Sequence, residues 1–440
     1  MQKNKFLRST LILLIGSFIT KTLGFFIKIM YTRIIGPEGI SLYTLIVPLF
    51  SLTVTIAGFG MPFAISKIVA ENKIRSKQVI LHGVIILLLL NVSLMIAIIL
   101  GSDFIATYLL HEPKVKILII GSVMALPNVG LACLLKGYFY GKQKMLPNTI
   151  SNIIEQTIRI LFIIFILPLI VKKSLIIGIL SYLLLNVVTE LASIITFIFL
   201  LPKNVNLKIN EFKYDKNTIN TLLNTSIPLV SSKIIGNIGY FFEPIILSNT
   251  MLLVGYSASY FTQEYGIYNA YSIALLLMPS FLIQAICTAT IPEISRLNST
   301  NKTLLKKRIK QIITMSLLIG IISTSFITIF RDKLLLLIYN TTLGSDYIKY
   351  LSYFFFLYYL EAPISAVLQA LGYGQNTLKI TTMGVIIKLL AMFVFTLLKI
   401  GLYGLIIAEF LNIIYIVSSY VHELLLIKKN NFTKKHQIAD

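Results

Sequence analysis

Ten ionisable side chains fall inside otherwise apolar runs: Lys21, Lys28, Arg159, Lys233 and Lys388, against Glu155, Glu190, Glu243, Glu361 and Glu409. An ion in hydrocarbon costs several kcal/mol unless it meets a partner, water or a ligand, so each marks either internal glue or a site. Asn148, Asn152, Glu155 and Arg159 recur at helical spacing on one face, which must look into a bundle interior or a wet cavity. Ser17, Lys21, Gly24 and Lys28 share a face of an earlier helix, presenting two cations and a glycine that permits close approach. Fixed cations replace the water around anionic oxygens, so the chemistry implied is the binding of an anionic headgroup by Lys21, Lys28, Arg159 and Lys233. The plainer alternatives are snorkelling for Lys28 and i, i+4 pairing of Glu155 with Arg159. A third polar helix carries Asn224, Ser231, Ser232, Lys233, Asn237, Tyr240 and Glu243, with Pro228 and Pro244 as its kink positions. Asn237 and Tyr240 join Ser17, Asn148, Asn152 and Glu155 as expected cavity lining, and Asn237 with Glu243 could hold Na+ or H+.

Other chemistries find no support. Cys133 and Cys287 sit in apolar stretches without metal-ligand spacing, and His82, His111, His422 and His436 lie near span ends or in the tail. Asp103, Asp215, Asp332, Asp346 and Asp440 all fall in loops or the tail, and no nucleophile–base pair or phosphate-binding glycine loop occurs. The reading is therefore not an enzyme, with no cofactor and no metal.

The elements that position these residues are transmembrane helices. The chain is 440 residues, 56% hydrophobic and only 13% charged, and its mean hydropathy of +0.85 excludes a soluble fold. Apolar spans are expected near 9–32, 42–65, 79–101, 115–135, 148–171, 175–201, 220–247, 265–291, 311–330, 348–371, 380–399 and 403–427. This is an all-α polytopic membrane protein of about twelve spans. The basic start followed by Leu11 to Ile19 looks like a leader, but with no small-residue cleavage site the run is expected to stay as the first helix. Alternate connections are rich in Lys and Arg, including Lys67, Lys73, Arg75 and Lys77, then Lys136, Lys142 and Lys144, then Lys203, Lys208, Lys213 and Lys216. The positive-inside rule then places both termini in the cytoplasm. The net charge of +22 is assigned to topology and contact with anionic lipid, not to nucleic acid.

A repeat divides the chain in two. Leu23-Gly24-Phe25-Phe26 resembles Ile238-Gly239-Tyr240-Phe241, and Ala64-Ile65-Ser66-Lys67 resembles Glu293-Ile294-Ser295-Arg296. Arg159 corresponds to Lys388, Gly178 to Gly404 and Asn186 to Asn412 in the same order. Six spans per half gives two lobes of like orientation, a six-helix lobe over 1–201 and another over 220–427. A cytoplasmic linker over 202–219 joins them, and 428–440 forms a basic tail.

The block KGYFYGKQKMLPNTISNIIEQTIRI, from Lys136 to Ile160, resembles the signature of the polysaccharide-export branch of the MOP flippase superfamily. Its matching residues are Lys136, Gly137, Phe139, Gly141, Met145, Pro147, Ser151, Glu155, Gln156 and Arg159. The run from Thr20 to Gly39 with Tyr43 resembles that family's first helix, and LQALGYGQN, from Leu368 to Asn376, is the weaker echo in the second half. Within the branch the likeness is to stage V sporulation protein B-like members, relatives of the lipid II flippases. Many members have fourteen spans, and Lys21 and Lys136 stand where Arg is often found. The resemblance implies a V-shaped, MATE-like transporter of the bacterial cytoplasmic membrane. It would move an undecaprenyl-pyrophosphate-linked saccharide such as a peptidoglycan precursor by alternating access, in sporulation or growth, alongside cell-wall synthases. The alternatives are a cation-coupled MATE-type drug exporter, in which Glu243 serves the cation, and a non-transporting scaffold for envelope synthesis.

Overall fold

The computed structural model describes the backbone of residues 2–71, 74–202 and 214–436. Most of the expected linker, the end of the basic tail and the side chains of Ser17 and Ser232 lie outside the described residues. The first six passes are α1 (Gln2–Gly58), α2 (Met61–Glu71), α3 (Ser76–Phe104), α4 (Val115–Val123), α5 (Leu126–Gly141), α6 (Leu146–Leu161), α7 (Leu167–Val171) and α8 (Leu175–Leu200). The seventh is α9 (Lys216–Leu253), and α10 (Ala258–Ile267), α11 (Ala274–Leu277) and α12 (Ser280–Thr300) form the eighth. Then follow α13 (Lys302–Tyr339), α14 (Ser345–Ala370), α15 (Gly374–Thr396) and α16 (Tyr403–His436).

Nine stretches among the described residues are long and apolar enough to cross a membrane, and the physical reasons reconcile this with twelve passes. Phe18–Glu71 counts once, yet its 54 residues would reach about 80 Å as one helix, more than two hydrocarbon thicknesses. It turns at Gly36, whose φ of 68° is left-handed, and Pro37 opens the second pass where its missing N–H is harmless. The α9 pass is diluted by polar residues, and the α10–α12 pass is interrupted by a turn at Met278 and Pro279.

The second pass breaks again at Phe59 and Gly60, with φ of 44° and 65°, instead of running through as the sequence pattern suggests. A break frees carbonyls that the hydrocarbon cannot solvate. Asn91 on α3, fully buried, donates from Nδ2 to the Ala57 carbonyl at 3.1 Å. Gly130 on α5 leaves the room for that amide, since a Cβ there would come within 2.3 Å of Nδ2.

The chain forms two compact units, Met1–Ile245 and Ile246–Asp440, so the first takes in the inner part of α9. Leu222 of α9 is buried in a cluster with Met61, Ile65, Val79 and Leu134. The start of α9 is fastened by a buried histidine. His82 on α3 accepts from the Asp215 backbone N–H through Nε2 at 2.9 Å, so its hydrogen sits on Nδ1 and is donated to the Gln78 carbonyl. Hydrogen bonds from Thr218, then from the Asn217 N–H, hold the Asp215 carboxyl below the usual carboxylate range. A carboxylate held low contributes to folding above its unfolded value, and that contribution is lost as pH falls through the folded one. Hydrogen exchange at Asn217 and Thr218, corrected for its intrinsic slowing in acid, is therefore expected to quicken on acidification, and to be fast at every pH in Asp215→Ala. His82→Phe should quicken it without removing the pH dependence.

Candidate functional site

The polar stripe of α6 reaches other helices instead of folding back on itself. Arg159 donates to the Thr189 hydroxyl on α8 at 3.2 Å and lies beside Tyr182 of the same helix, so it is not an i, i+4 partner of Glu155. Ser151 meets Ser193 of α8 at 2.5 Å, and Lys136 of α5 reaches Asn152 at 3.4 Å, a long contact. Glu190 on α8 lies within electrostatic reach of Glu155, Lys136 and Arg159, completing a mixed cluster of two cations and two carboxylates. Asn148 is 1% exposed, and neither of its amide atoms has a hydrogen-bond partner.

Tyrosines roof the Arg159 end of this cluster. Tyr31 and Tyr182 stack at 4.0 Å between ring centres, and Tyr43 sits edge-on to both. The rings come from the two arms of α1 around the Gly36 turn and from α8. The Tyr31 hydroxyl is buried without a partner. Just past Arg159 the helix widens into a π-turn, Phe162–Ile166, before Pro168, which has no N–H to continue an α-helical ladder.

α1 lies along α6 through its glycines. A Cβ on Gly16 would meet Thr149 at 2.4 Å, and one on Gly24 would sit 3.9 Å from Gln156 Oε1. Lys21 and Lys28, on the turns around Gly24, are exposed from the packed core of this unit, as is Lys233. The Lys233 ammonium stands over the Phe63 ring at 5.1 Å, and Asn237 donates to the Thr55 hydroxyl at 2.7 Å. Both neighbours flank the break in the second pass. Tyr240 is partly buried, and Glu243 is 3% exposed and engaged with its surroundings.

Sequence reasoning named Arg159, Lys233 and Asn237 but not their partners. Thr55, Phe63, Thr189 and the Tyr31–Tyr182 stack carry no periodic signal, since each contact joins helices distant in the chain. Glu190 was visible as an intramembrane charge, though not as a neighbour of Glu155. In the second unit Lys388 of α15 pairs with Glu409 of α16 at 2.6 Å. Among the described residues no group of His, Cys, Asp and Glu has the arrangement of a metal site.

The polysaccharide biosynthesis protein family matches residues 6–298, and the MatE family matches residues 244–394. Stage V sporulation protein B of Bacillus subtilis (strain 168) is 30% identical over 399 residues, covering 88% of this chain and 77% of that protein. Lipid II flippase MurJ of the same organism is 27% identical over 173 residues, covering 36% of this chain and 32% of its own. The fold is shared with an inward-facing multidrug resistance MATE family transporter of the MOP superfamily, at TM-score 0.78 and 16% identity over 94% of this chain and 96% of that one. The chain belongs to the polysaccharide biosynthesis protein family and is a multi-pass flippase or transporter of the MOP superfamily, a protein of the bacterial cytoplasmic membrane.

Proposed function

We propose that this protein carries an undecaprenyl-pyrophosphate-linked saccharide, such as a peptidoglycan precursor, across the cytoplasmic membrane by alternating access of two lobes joined through the 202–219 linker. The observation that supports it most is the company kept by two intramembrane cations. Lys233 is held by an aromatic ring, which positions its charge without neutralising it, and Arg159 donates to a hydroxyl while sharing Glu155 and Glu190 with Lys136. With Lys21 and Lys28, cations outnumber the carboxylates Glu155, Glu190 and Glu243 within this unit. In the proposed cycle Lys21 and Arg159, aided by Lys28 and Lys233, take the place of water around the pyrophosphate oxygens. Asn237 and Glu243 are this unit's candidates for a coupling Na+ or H+.

The test is the outer-leaflet accessibility of lipid II in cells depleted of their other flippases. Wild type should expose the precursor, and Lys21→Ala at matched expression should reduce exposure severalfold. The MatE match to residues 244–394 and the buried Glu243 favour drug export as the second reading. Lowered accumulation of a cationic dye, with no precursor exposed, would establish that reading instead. A folded, well-expressed protein with neither activity would return the scaffold role.

A further inference from the structure

The second unit carries the opposite imbalance. Lys388 of α15 and Glu409 of α16 form a partly buried ion pair at 2.6 Å, and Glu361 of α14 lies within electrostatic reach of both. These three helices pack on one another. The titratable groups facing Glu361 are Lys388, Glu409 and Tyr420 from the neighbouring helices and Tyr358 from its own. Three residues along α16 from Glu409, Asn412 presses its amide on Gly384 of α15, where a Cβ would meet Oδ1 at 2.8 Å. That oxygen is buried and receives no hydrogen bond.

The cluster therefore holds two carboxyls, one ammonium and an acceptor lacking a donor. A surplus carboxylate among membrane helices is costly, and one added positive charge relieves it. Two carboxyls sharing a single cation titrate as a unit, so the charge is taken up by the cluster and is carried most readily by the group outside the ion pair.

We propose that the second unit contains a proton-binding site in which Glu361 takes up and releases one proton beside the Lys388–Glu409 pair. On uptake an O–H bond forms on the Glu361 carboxyl with a proton from water. On release the proton returns to water, and Lys388 is left between two carboxylates. The site is separate from Asn237 and Glu243, and it gives the second unit a cation-handling role beside the anion-facing first. Its use in driving transport rests on the proposed function, whereas proton binding does not.

The experiment is infrared difference spectroscopy of the purified full-length protein in lipid nanodiscs, titrated with acid, reading the carbonyl stretch of protonated carboxyls. Wild type should take up about one proton at the cluster, and Glu361→Gln should lose that signal. Glu409→Gln should lose it too, because Glu361 then has Lys388 to itself, whereas Lys388→Met should raise uptake to about two. A signal that survives in Glu361→Gln, or that vanishes when sodium replaces potassium, would overturn the proposal. The readout needs no substrate, so failure of the flippase reading and failure of the proton site are told apart. If Glu361→Gln does not fold, Glu409→Gln and Lys388→Met decide the matter with opposite signs.

Discussion

Arg159→Ala is expected to abolish precursor exposure on the outer leaflet while leaving the protein folded and in the membrane. A charged hydrogen bond to a phosphate oxygen is worth about 1.5–3 kcal/mol, on the order of a 10- to 150-fold loss when removed. The change removes one long hydrogen bond to Thr189 and one of the two cations facing Glu155 and Glu190, while Lys136 stays beside them. Arg159→Lys should fall between, since it keeps the charge but loses the planar fork. Thr189→Val should weaken exposure less than Arg159→Ala and lose most of its effect in the Arg159→Ala background. Additive losses in that double mutant would show that Thr189 does not act through Arg159.

Gly60→Ala is expected to destabilise the first unit more than Gly36→Ala, although both glycines have positive φ. Gly36 has open space where a Cβ would be built, so alanine there meets only the conformational penalty of a backbone at φ 68° and ψ −176°, about 1–3 kcal/mol. At Gly60 the Cβ would lie 2.9 Å from the Ser226 carbonyl oxygen and 3.3 Å from Val230 Cβ, backbone and branched side chain that cannot swing aside. The added strain brings the expected loss to roughly 2–4 kcal/mol, read as a lowered midpoint in thermal unfolding. It should also loosen the inner part of α9, with faster exchange from Thr218 through Val230. Equal losses at the two glycines would show that α9 does not press on the break.

Much of this was written in the sequence because hydrocarbon enforces it. Apolar runs and loop charges mark the passes, since exposed backbone is forbidden within the hydrocarbon. The break at Phe59-Gly60 was not legible, because Ala57 to Met61 stays apolar on both sides and its compensation comes from Asn91, thirty-odd residues away. The same limit governs the site. Helical periodicity placed Arg159 on a face with Glu155, and only packing could show that its hydrogen bond goes to Thr189. The order of matches between halves set Lys388 opposite Arg159, yet not the carboxyl that makes the second unit's cluster differ. Which charges meet is decided by helix neighbours, and those carry no local pattern.

The polar dilution of the seventh pass bears on how the protein is made. A translocon releases a segment into lipid according to its hydropathy, and α9 falls short where the first lobe's helices do not. The inner part of α9 instead buries Leu222 against Met61 and Ile65, and the residue before it, Asp215, hangs on His82, surfaces completed by the passes that precede it. Biogenesis is therefore ordered: the amino-terminal helices enter on their own merit, and the seventh is retained by a finished protein surface.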